Sequence, residues 1–162
     1  MTLYKNLVNK ISISPEKKTK QKEYLQSGIL PIIDQGQDLI GGYTNQQDKM
    51  VQCELPVIIF GDHTRCVKYI DFSFGAGADG IKILKPNSDI EAKYLFYATQ
   101  YLVLRMDDRG YARHYQYLEK ENLFSLITTK RHPQLNQDMI EVSLEPLELQ
   151  VYMISLASSR AI

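Results

Sequence analysis

The chain has little of what a membrane-spanning or secreted protein needs. Its apolar runs fall far short of the about 20 consecutive apolar residues that cross a bilayer, and residues 1–10 are a mixed polar stretch without the apolar core of a signal peptide. It has only two cysteines, Cys53 and Cys66, too far apart for a Cys-x-x-Cys redox or zinc pair. These absences predict a cytoplasmic protein without a membrane span, in which both cysteines are free thiols.

The sequence also lacks the motifs of common active sites. His63, His114 and His132 do not have the spacing of metal ligands, and no Cys-His cluster accompanies them. It contains no Gly-x-Ser-x-Gly nucleophile elbow, no Walker-type phosphate loop and no Asn-Pro-Pro-Tyr stretch of the adenine methyltransferase kind. We therefore expect no catalytic residue, no metal site and no cofactor bound by this chain.

One glycine motif matches a cofactor fingerprint. Residues 75–80, Gly-Ala-Gly-Ala-Asp-Gly, fit the G-x-G-x-x-G pattern of dinucleotide-binding proteins. In that fingerprint a helix begins at the third glycine, so that its N-terminal amides meet the pyrophosphate. Here residues 81–84 have a strand pattern and Pro86 follows. This context favours a glycine-rich turn between strands.

A second motif has the residue types of a nuclease metal cluster. Asp79, Glu91 and Lys93 follow the order of an Asp…Glu-x-Lys site. Such sites place the Glu and the Lys on one face of a strand, whereas here the two residues are two apart in a predicted helix, where they do not share a face. Helix capping explains Glu91 without chemistry, so a metal-dependent nuclease is the weaker interpretation.

The hydrophobic pattern predicts several short strands. β-branched or alternating runs bounded by turn residues are typical of strands, and they occur at residues 28–33, 56–60, 66–71 and 81–84. Asp79-Gly80 is a favoured hairpin dipeptide. Residues 118–126 are predicted to form a further short element.

After Pro86 the pattern changes to helical spacing. Ser88 and Glu91 have the spacing of a capping box, with Ser88 as N-cap, and one amphipathic helix is predicted to run to about residue 104. Residues 138–162 fit a strand and a helix equally, and Pro146 interrupts either. The pattern as a whole indicates an α+β protein.

Charge is unevenly distributed along a chain whose formal net charge is zero. Residues 1–22 contain six lysines and one acidic residue, a net of +5, while residues 23–137 have a net of −2 and residues 138–162 a net of −3. DNA affinity comes from local basic patches that displace counterions, so overall neutrality does not exclude a DNA partner. It does predict modest affinity for the isolated chain.

Several predicted turns are rich in side chains that contact DNA. Arg, Asn, Gln, His and Tyr bond to base edges and phosphates or stack along a backbone. The candidate residues form three groups: Gln35, Gln37, Tyr43, Thr44 and Asn45; Thr64 and Arg65, with Lys68 in the predicted strand that follows; and Arg109, Tyr111, Arg113, His114 and Tyr115. Polar loops are the default on protein surfaces, but the density of the third group favours a DNA-contact loop.

These turns lie within blocks that resemble a known family. The most specific block is Phe-Gly-Asp-His-Thr-Arg with Val-Lys-Tyr-Ile-Asp-Phe, at residues 60–72. Other blocks are Pro-Ile-Ile-Asp-Gln-Gly-Gln at 31–37, Ile-Gly-Gly-Tyr-Thr at 40–44, Gly-Ala-Asp-Gly-Ile-Lys at 77–82 and Arg-Gly-Tyr-Ala-Arg-His-Tyr at 109–115. In this order, over roughly residues 1–137, they resemble the DNA target-recognition domains of type I restriction–modification specificity subunits.

The resemblance implies a domain that reads one half of a split duplex DNA target. The implied fold is α+β, a mixed, largely antiparallel twisted sheet with a few packed helices. The implied partners are double-stranded DNA, an adenine methyltransferase subunit that binds S-adenosylmethionine, and a restriction and translocation subunit that uses ATP and Mg²⁺. The recognition domain itself holds no cofactor.

The implied contacts follow the three groups above. We expect Arg109, Tyr111, Arg113 and His114, with Tyr115, to form the main contact loop. Arg65 and Lys68, with Thr64, are expected to contact phosphates or bases. Gln35, Gln37, Tyr43, Thr44 and Asn45 are expected to form a second reading loop.

The chain departs from the family pattern near its end. Pro-Gln-Leu-Asn-Gln at residues 133–137 resembles only in part the family's Pro-Pro-Leu-x-x-Gln stretch. Residues 138–162 occupy the position of the family's long spacer helix. We expect a recognition domain at 1–137 followed by this short segment. A half-subunit that forms a homodimer, a recombination cassette and a truncated remnant remain open, as does a degenerate or regulatory domain that docks a methyltransferase subunit without useful DNA binding.

Overall fold

The computed structural model describes residues 2–78, 80–106 and 113–123, which form an α+β protein. The strands are β1 (Thr2–Leu3), β2 (Val8–Ile11), β3 (Leu30–Ile33), β4 (Gly42–Thr44), β5 (Val57–Gly61), β6 (Val67–Ile70), β7 (Gly75–Ala76), β8 (Ile81–Pro86) and β9 (Asn122–Leu123). The α-helices are α1 (Ala92–Arg105) and α2 (Tyr115–Leu118), and short 3-10 helices occur at Tyr4–Asn6, Pro15–Lys17, Gln21–Glu23 and Gln47–Lys49. The class and the four principal strands predicted from the sequence are confirmed.

The strands are divided among three sheets. β2, β8, β5 and β6 form a four-stranded antiparallel sheet in that order. β4, β3 and β7 form a mixed sheet, in which β4 is antiparallel and β7 parallel to β3. β1 pairs with β9 in a separate two-stranded ribbon. The predicted largely antiparallel pairing is therefore present.

β5 is buried along its whole length because both faces of its sheet are covered. Ile58 and Phe60 pack with α1 and α2 in one core cluster. Val57 and Ile59 point to the other face and pack with side chains of β3 and β7 in a second cluster. Successive side chains of a strand alternate between faces, so this apolar run forms a central strand between a helical layer and the mixed sheet.

Helix α1 begins three residues later than the capping pattern predicted. Glu91 is its N-cap, and the Glu91 carboxylate accepts a hydrogen bond from the Lys93 N–H at 3.3 Å. The prediction that Ser88 caps the helix is wrong, because the chain first makes a turn in which the Ile90 N–H donates to the Asn87 carbonyl. The predicted end of the helix is confirmed within one residue by Arg105.

A buried hydrogen bond holds the N-terminal segment against α1. The Tyr4 hydroxyl lies 2.8 Å from Thr99 Oγ1, and the Thr99 hydroxyl donates its own proton to the Leu95 carbonyl at 2.6 Å. Tyr4 is therefore the donor in the pair. Burial raises the pKa of the Tyr4 phenol, so it stays protonated and able to donate.

The chain passes from one sheet to the other at Gly80. β7 pairs with β3, whereas β8 pairs with β5 and β2, so the prediction that Asp79-Gly80 joins a hairpin is wrong. Gly80 has a φ of +73°, a conformation that favours glycine. A strand rather than a helix follows it, which is contrary to a dinucleotide fingerprint. Asp79 itself lies outside the described residues.

The predicted short element at residues 118–126 contains strand β9 at Asn122–Leu123, and residues 124–126 lie outside the described residues. Helix α2 ends at Leu118, and β9 pairs with β1 shortly after it. The segment at 138–162 lies outside the described residues. Within the described ranges, none of the helices combines the length and the apolar character that crossing a membrane requires.

Candidate functional site

Four chain segments meet at one edge of the two larger sheets, and we call them the loop edge. They are residues 34–41 after β3, residues 62–66 between β5 and β6, Gly77, Ala78 and Gly80 between β7 and β8, and residues 113–115 at the start of α2. The Gly77 N–H donates to the Ile33 carbonyl at 2.8 Å, and the Asp62 N–H donates to the Gly80 carbonyl at 2.6 Å. All three sequence groups rich in DNA-contacting residues contribute to this edge, the first of them only through Gln35 and Gln37.

Gln35 joins the first of these segments to the second. Its backbone carbonyl accepts hydrogen bonds from Thr64 Oγ1 at 2.7 Å and from Cys66 Sγ at 3.2 Å. Its side-chain Oε1 accepts from the His63 N–H at 3.3 Å. The Gln35 amide also fills the space beside Gly80, where a Cβ would approach it within 2.6 Å. Gln35 therefore holds three of the segments in one arrangement.

Lys68 holds the segment at residues 34–41 from the interior of the protein. It lies on the face of β6 that points to the mixed sheet and is 5% exposed. Its Nζ donates to the Asp34 carbonyl at 2.8 Å and lies 3.7 Å from Asp34 Oδ1. An ammonium group buried to this extent needs such partners. The structure thus places Lys68 as an internal support of the loop edge.

Asp62 is the hub between the β5–β6 turn and the segment before α2. It is buried, and its Oδ1 accepts a hydrogen bond from the Tyr115 N–H at 2.8 Å. Its carbonyl accepts from the His114 N–H at 2.8 Å. Its Oδ2 lies 3.2 Å from Lys82 Nζ, a partly exposed cation that compensates the buried charge. One side chain and its backbone therefore connect three segments that are far apart in the sequence.

His114 and Tyr115 face the interior. His114 is 1% exposed, and its Nδ1 lies 3.0 Å from the Asp62 carbonyl. Because a carbonyl only accepts, Nδ1 carries the proton, and Nε2 has no hydrogen-bond partner among the described residues. The Tyr115 ring packs 6.1 Å from the Phe60 ring. Burial, together with the charges of Glu119 and Asp62, raises the pKa of the Tyr115 phenol.

One arginine of the loop edge, the half-buried Arg65, has an unusual backbone conformation. Arg65 has a φ of 61°, which is uncommon for a residue other than glycine, and its Nη1 donates to the Met106 carbonyl at the end of α1, 3.3 Å away. Thr64, Gln37 and Arg113 are exposed. These side chains, rather than the buried ones, are available to a partner.

The other members of the first sequence group, Tyr43, Thr44 and Asn45, lie away from the loop edge. Thr44 pairs with Leu30, the first residue of β3, whereas the loop edge begins after its last residue. Thr44 is buried, and Asn45 is exposed but accepts a hydrogen bond from the Ile29 N–H at 3.2 Å. Tyr43, which is half-buried, belongs to the same strand. The structure does not bring these residues to Gln35 and Gln37.

Two predicted contacts, Arg109 and Tyr111, lie outside the described residues. Sequence reasoning did not identify the bonding role of Asp62 or its partner Lys82. The signal available in the sequence was a carboxylate directly after a fully apolar strand. A carboxylate in such a place is buried only when hydrogen bonds or an ion pair compensate its charge. In the described ranges, no three His, Cys, Asp or Glu side chains are grouped so as to hold a metal ion.

Comparison with known proteins gives one informative relative. The chain is 35% identical over 81 residues to the specificity subunit of the type I restriction enzyme EcoR124I/EcoR124II of Escherichia coli, an alignment covering 48% of this chain and 20% of that subunit. The chain thus spans about a fifth of the length of the curated relative it matches. No family model and no solved structure matches it. The similarity indicates a relationship to a restriction–modification specificity subunit.

Proposed function

We propose that this chain binds duplex DNA in a sequence-specific manner and reads one half-site of a split target for a type I restriction–modification complex. The observation that carries the proposal is the 35% identity to a type I specificity subunit. The loop edge supports it, because four segments converge there and present arginine and polar side chains from loops that the sheets hold in position. The chain itself has no catalytic role in this proposal.

The proposed contacts separate into outward and supporting residues. Arg113, Arg65, Thr64 and Gln37 reach bases or phosphates, and Arg109 and Tyr111 belong to the same contact loop. The half-buried Gln35 and the buried Lys68, His114 and Tyr115 hold that loop in place. Tyr43 and Asn45, with Thr44 as their buried support, form a separate contact at the other end of β3.

The proposed partners follow from the same relationship. An adenine methyltransferase subunit, carrying S-adenosylmethionine, modifies the DNA that this chain selects, and a restriction subunit that uses ATP and Mg²⁺ cuts it. The complex works in the cytoplasm. Because one recognition domain reads one half-site, a complete complex needs a second copy or a second recognition domain.

Selection of bound duplexes from a random-sequence pool tests the proposal. At about 100 mM salt, purely electrostatic binding is already weakened, so enrichment reports base readout. The expected result is a short enriched motif of a few base pairs, and a palindromic repeat of it would indicate a homodimer. Absence of enrichment, with and without an added methyltransferase subunit, would contradict sequence-specific binding.

Arg113→Ala is expected to reduce affinity for the selected duplex by about 1–3 kcal/mol, the cost of losing a bidentate contact to a guanine. Arg113→Lys keeps the charge but not the planar fork, so we expect it to lose most of the base discrimination. Titration of labelled duplex measures both variants. Lys93→Ala is the control, because Lys93 is exposed at the start of α1, about 20 Å from the end that Arg65 contacts. Unchanged binding by Arg113→Ala would contradict the assignment.

A second candidate is a domain that docks a methyltransferase subunit without useful DNA binding. The zero net charge of the chain favours it, because DNA-binding domains are commonly basic. Co-purification with a methyltransferase subunit, combined with no retention of any duplex, would support this alternative over DNA reading.

A further inference from the structure

We propose that a groove lined by Lys10, Lys18 and Lys82 binds the phosphate backbone of DNA beside the loop edge. The groove runs along β2 and β8, and its other lining residues are Ser12, Ile11, Ile13, Ile81 and Ile83. It therefore combines three cations with a hydroxyl group, and its lining contains no acidic residue. The proposal rests on the proposed function and adds a surface that the predicted contact residues do not include.

Two contacts place this groove next to the contact loop. Lys10 Nζ lies over the Tyr115 ring, 5.6 Å from its centroid. Lys82 Nζ lies 3.2 Å from Asp62 Oδ2, and the other oxygen of that carboxylate accepts the Tyr115 N–H. Tyr115 is two residues from the exposed Arg113. A duplex whose bases meet Arg113 would therefore bring its backbone over the groove.

The backbone around Lys18 is fixed to the same edge. The Thr19 N–H donates to the Ala76 carbonyl at 2.9 Å, and the Ala78 N–H donates to the Thr19 carbonyl at 2.8 Å. Through these two hydrogen bonds, Thr19 forms a parallel β-bridge with Gly77, the residue after β7. The chain at Lys18 and Thr19 is thereby held beside the loop edge.

Charge complementarity selects phosphate as the ligand. Lys10 and Lys18 belong to residues 1–22, which have a net charge of +5 in a chain whose formal net charge is zero. Lysine is a compact point charge on a flexible stem, suited to phosphates rather than to bidentate recognition of a base. Because Asp62 neutralises part of the charge of Lys82, Lys10 and Lys18 are the two stronger contacts.

The salt dependence of binding tests the groove. Each phosphate contact adds about 0.9 to the slope of the logarithm of affinity against the logarithm of salt concentration. The double variant Lys10→Gln/Lys18→Gln is expected to lower the slope by about 1.8 and to weaken binding equally for all duplexes. The motif selected from the random pool should stay the same. Thermal melting of each variant verifies that it is folded.

Two matched variants sharpen the result. Lys10→Arg/Lys18→Arg keeps both charges and is expected to retain the parent slope, whereas Lys93→Gln removes a charge at the far end of α1 and should leave it unchanged. The proposal would be overturned if the double glutamine variant had the same salt slope as the parent, or if Lys93→Gln lowered the slope as much as the double variant does. A change in the selected motif would also overturn it. If the parent selects no motif, sequence-specific reading fails, yet a lower slope in the double glutamine variant would still support the groove.

Discussion

Phe60→Ala is expected to lower the free energy of unfolding by about 3–5 kcal/mol, because it removes an aromatic ring from the centre of the core. Phe60 is fully buried in β5, the strand between β8 and β6, and its ring packs 6.1 Å from that of Tyr115. Truncation leaves a cavity between the sheet and the helices, where the surrounding strands relax only in part. Urea unfolding followed by far-ultraviolet circular dichroism measures the change, since the chain has no tryptophan.

The matched control for this prediction is Ile29→Ala. Ile29 is 60% exposed, just before β3, and surface substitutions of this kind usually change stability by less than about 0.5 kcal/mol. A loss below about 1 kcal/mol in Phe60→Ala would show that β5 does not lie in a close-packed core. Such a result would contradict the arrangement of the helical layer and the mixed sheet around this strand.

Asp62→Ala is expected to lower the free energy of unfolding by about 2–3 kcal/mol, because the buried Tyr115 N–H loses its acceptor. The effect on DNA binding should be larger than the loss of one contact. Without the hub, the segment bearing Arg113 is no longer held to the β5–β6 turn, so several contacts are displaced together. Urea unfolding and titration of the selected duplex measure the two effects separately.

Asp62→Asn separates the hydrogen bond from the charge. The amide oxygen still accepts from the Tyr115 N–H, so most of the stability should remain, while the ion pair with Lys82 is lost. Asp71→Ala is the control, since Asp71 is exposed directly after β6. If Asp62→Ala proved as stable and as active in binding as Asp71→Ala, Asp62 could not be the hub of the loop edge.

The strands were predictable because their sequences contain the physical cause of their formation. Residues 57–60 are apolar and mostly β-branched, which fits a strand buried on both faces, and residues 67–70 alternate as a half-buried strand does. The start of α1 was not predictable, because serine is a favoured N-cap residue and glutamate is not, yet the helix begins after Glu91. Local sequence could not show this, since the turn at residues 87–90 depends on bonds to the preceding chain.

The loop edge was only partly predictable. Composition indicated Gln35, Thr64, Arg65 and the group within residues 109–115, but it did not indicate which of these side chains are exposed. That depends on bonds between distant positions: Asp62 and Tyr115 are 53 residues apart, and Lys68 and Asp34 are 34 apart. For the same reason, sequence alone could not show that the strand carrying Tyr43 leads away from Gln35.

The most direct test of sequence-specific binding is the ratio of the affinity for the selected duplex to that for the same duplex with the motif scrambled, measured at one salt concentration. We expect the selected duplex to bind more tightly, and each replaced base pair of the motif to cost about 1–3 kcal/mol of binding free energy, as base-edge contacts are lost one by one. Equal affinity for the selected and the scrambled duplex would contradict the account, because it would leave only binding to the phosphate backbone.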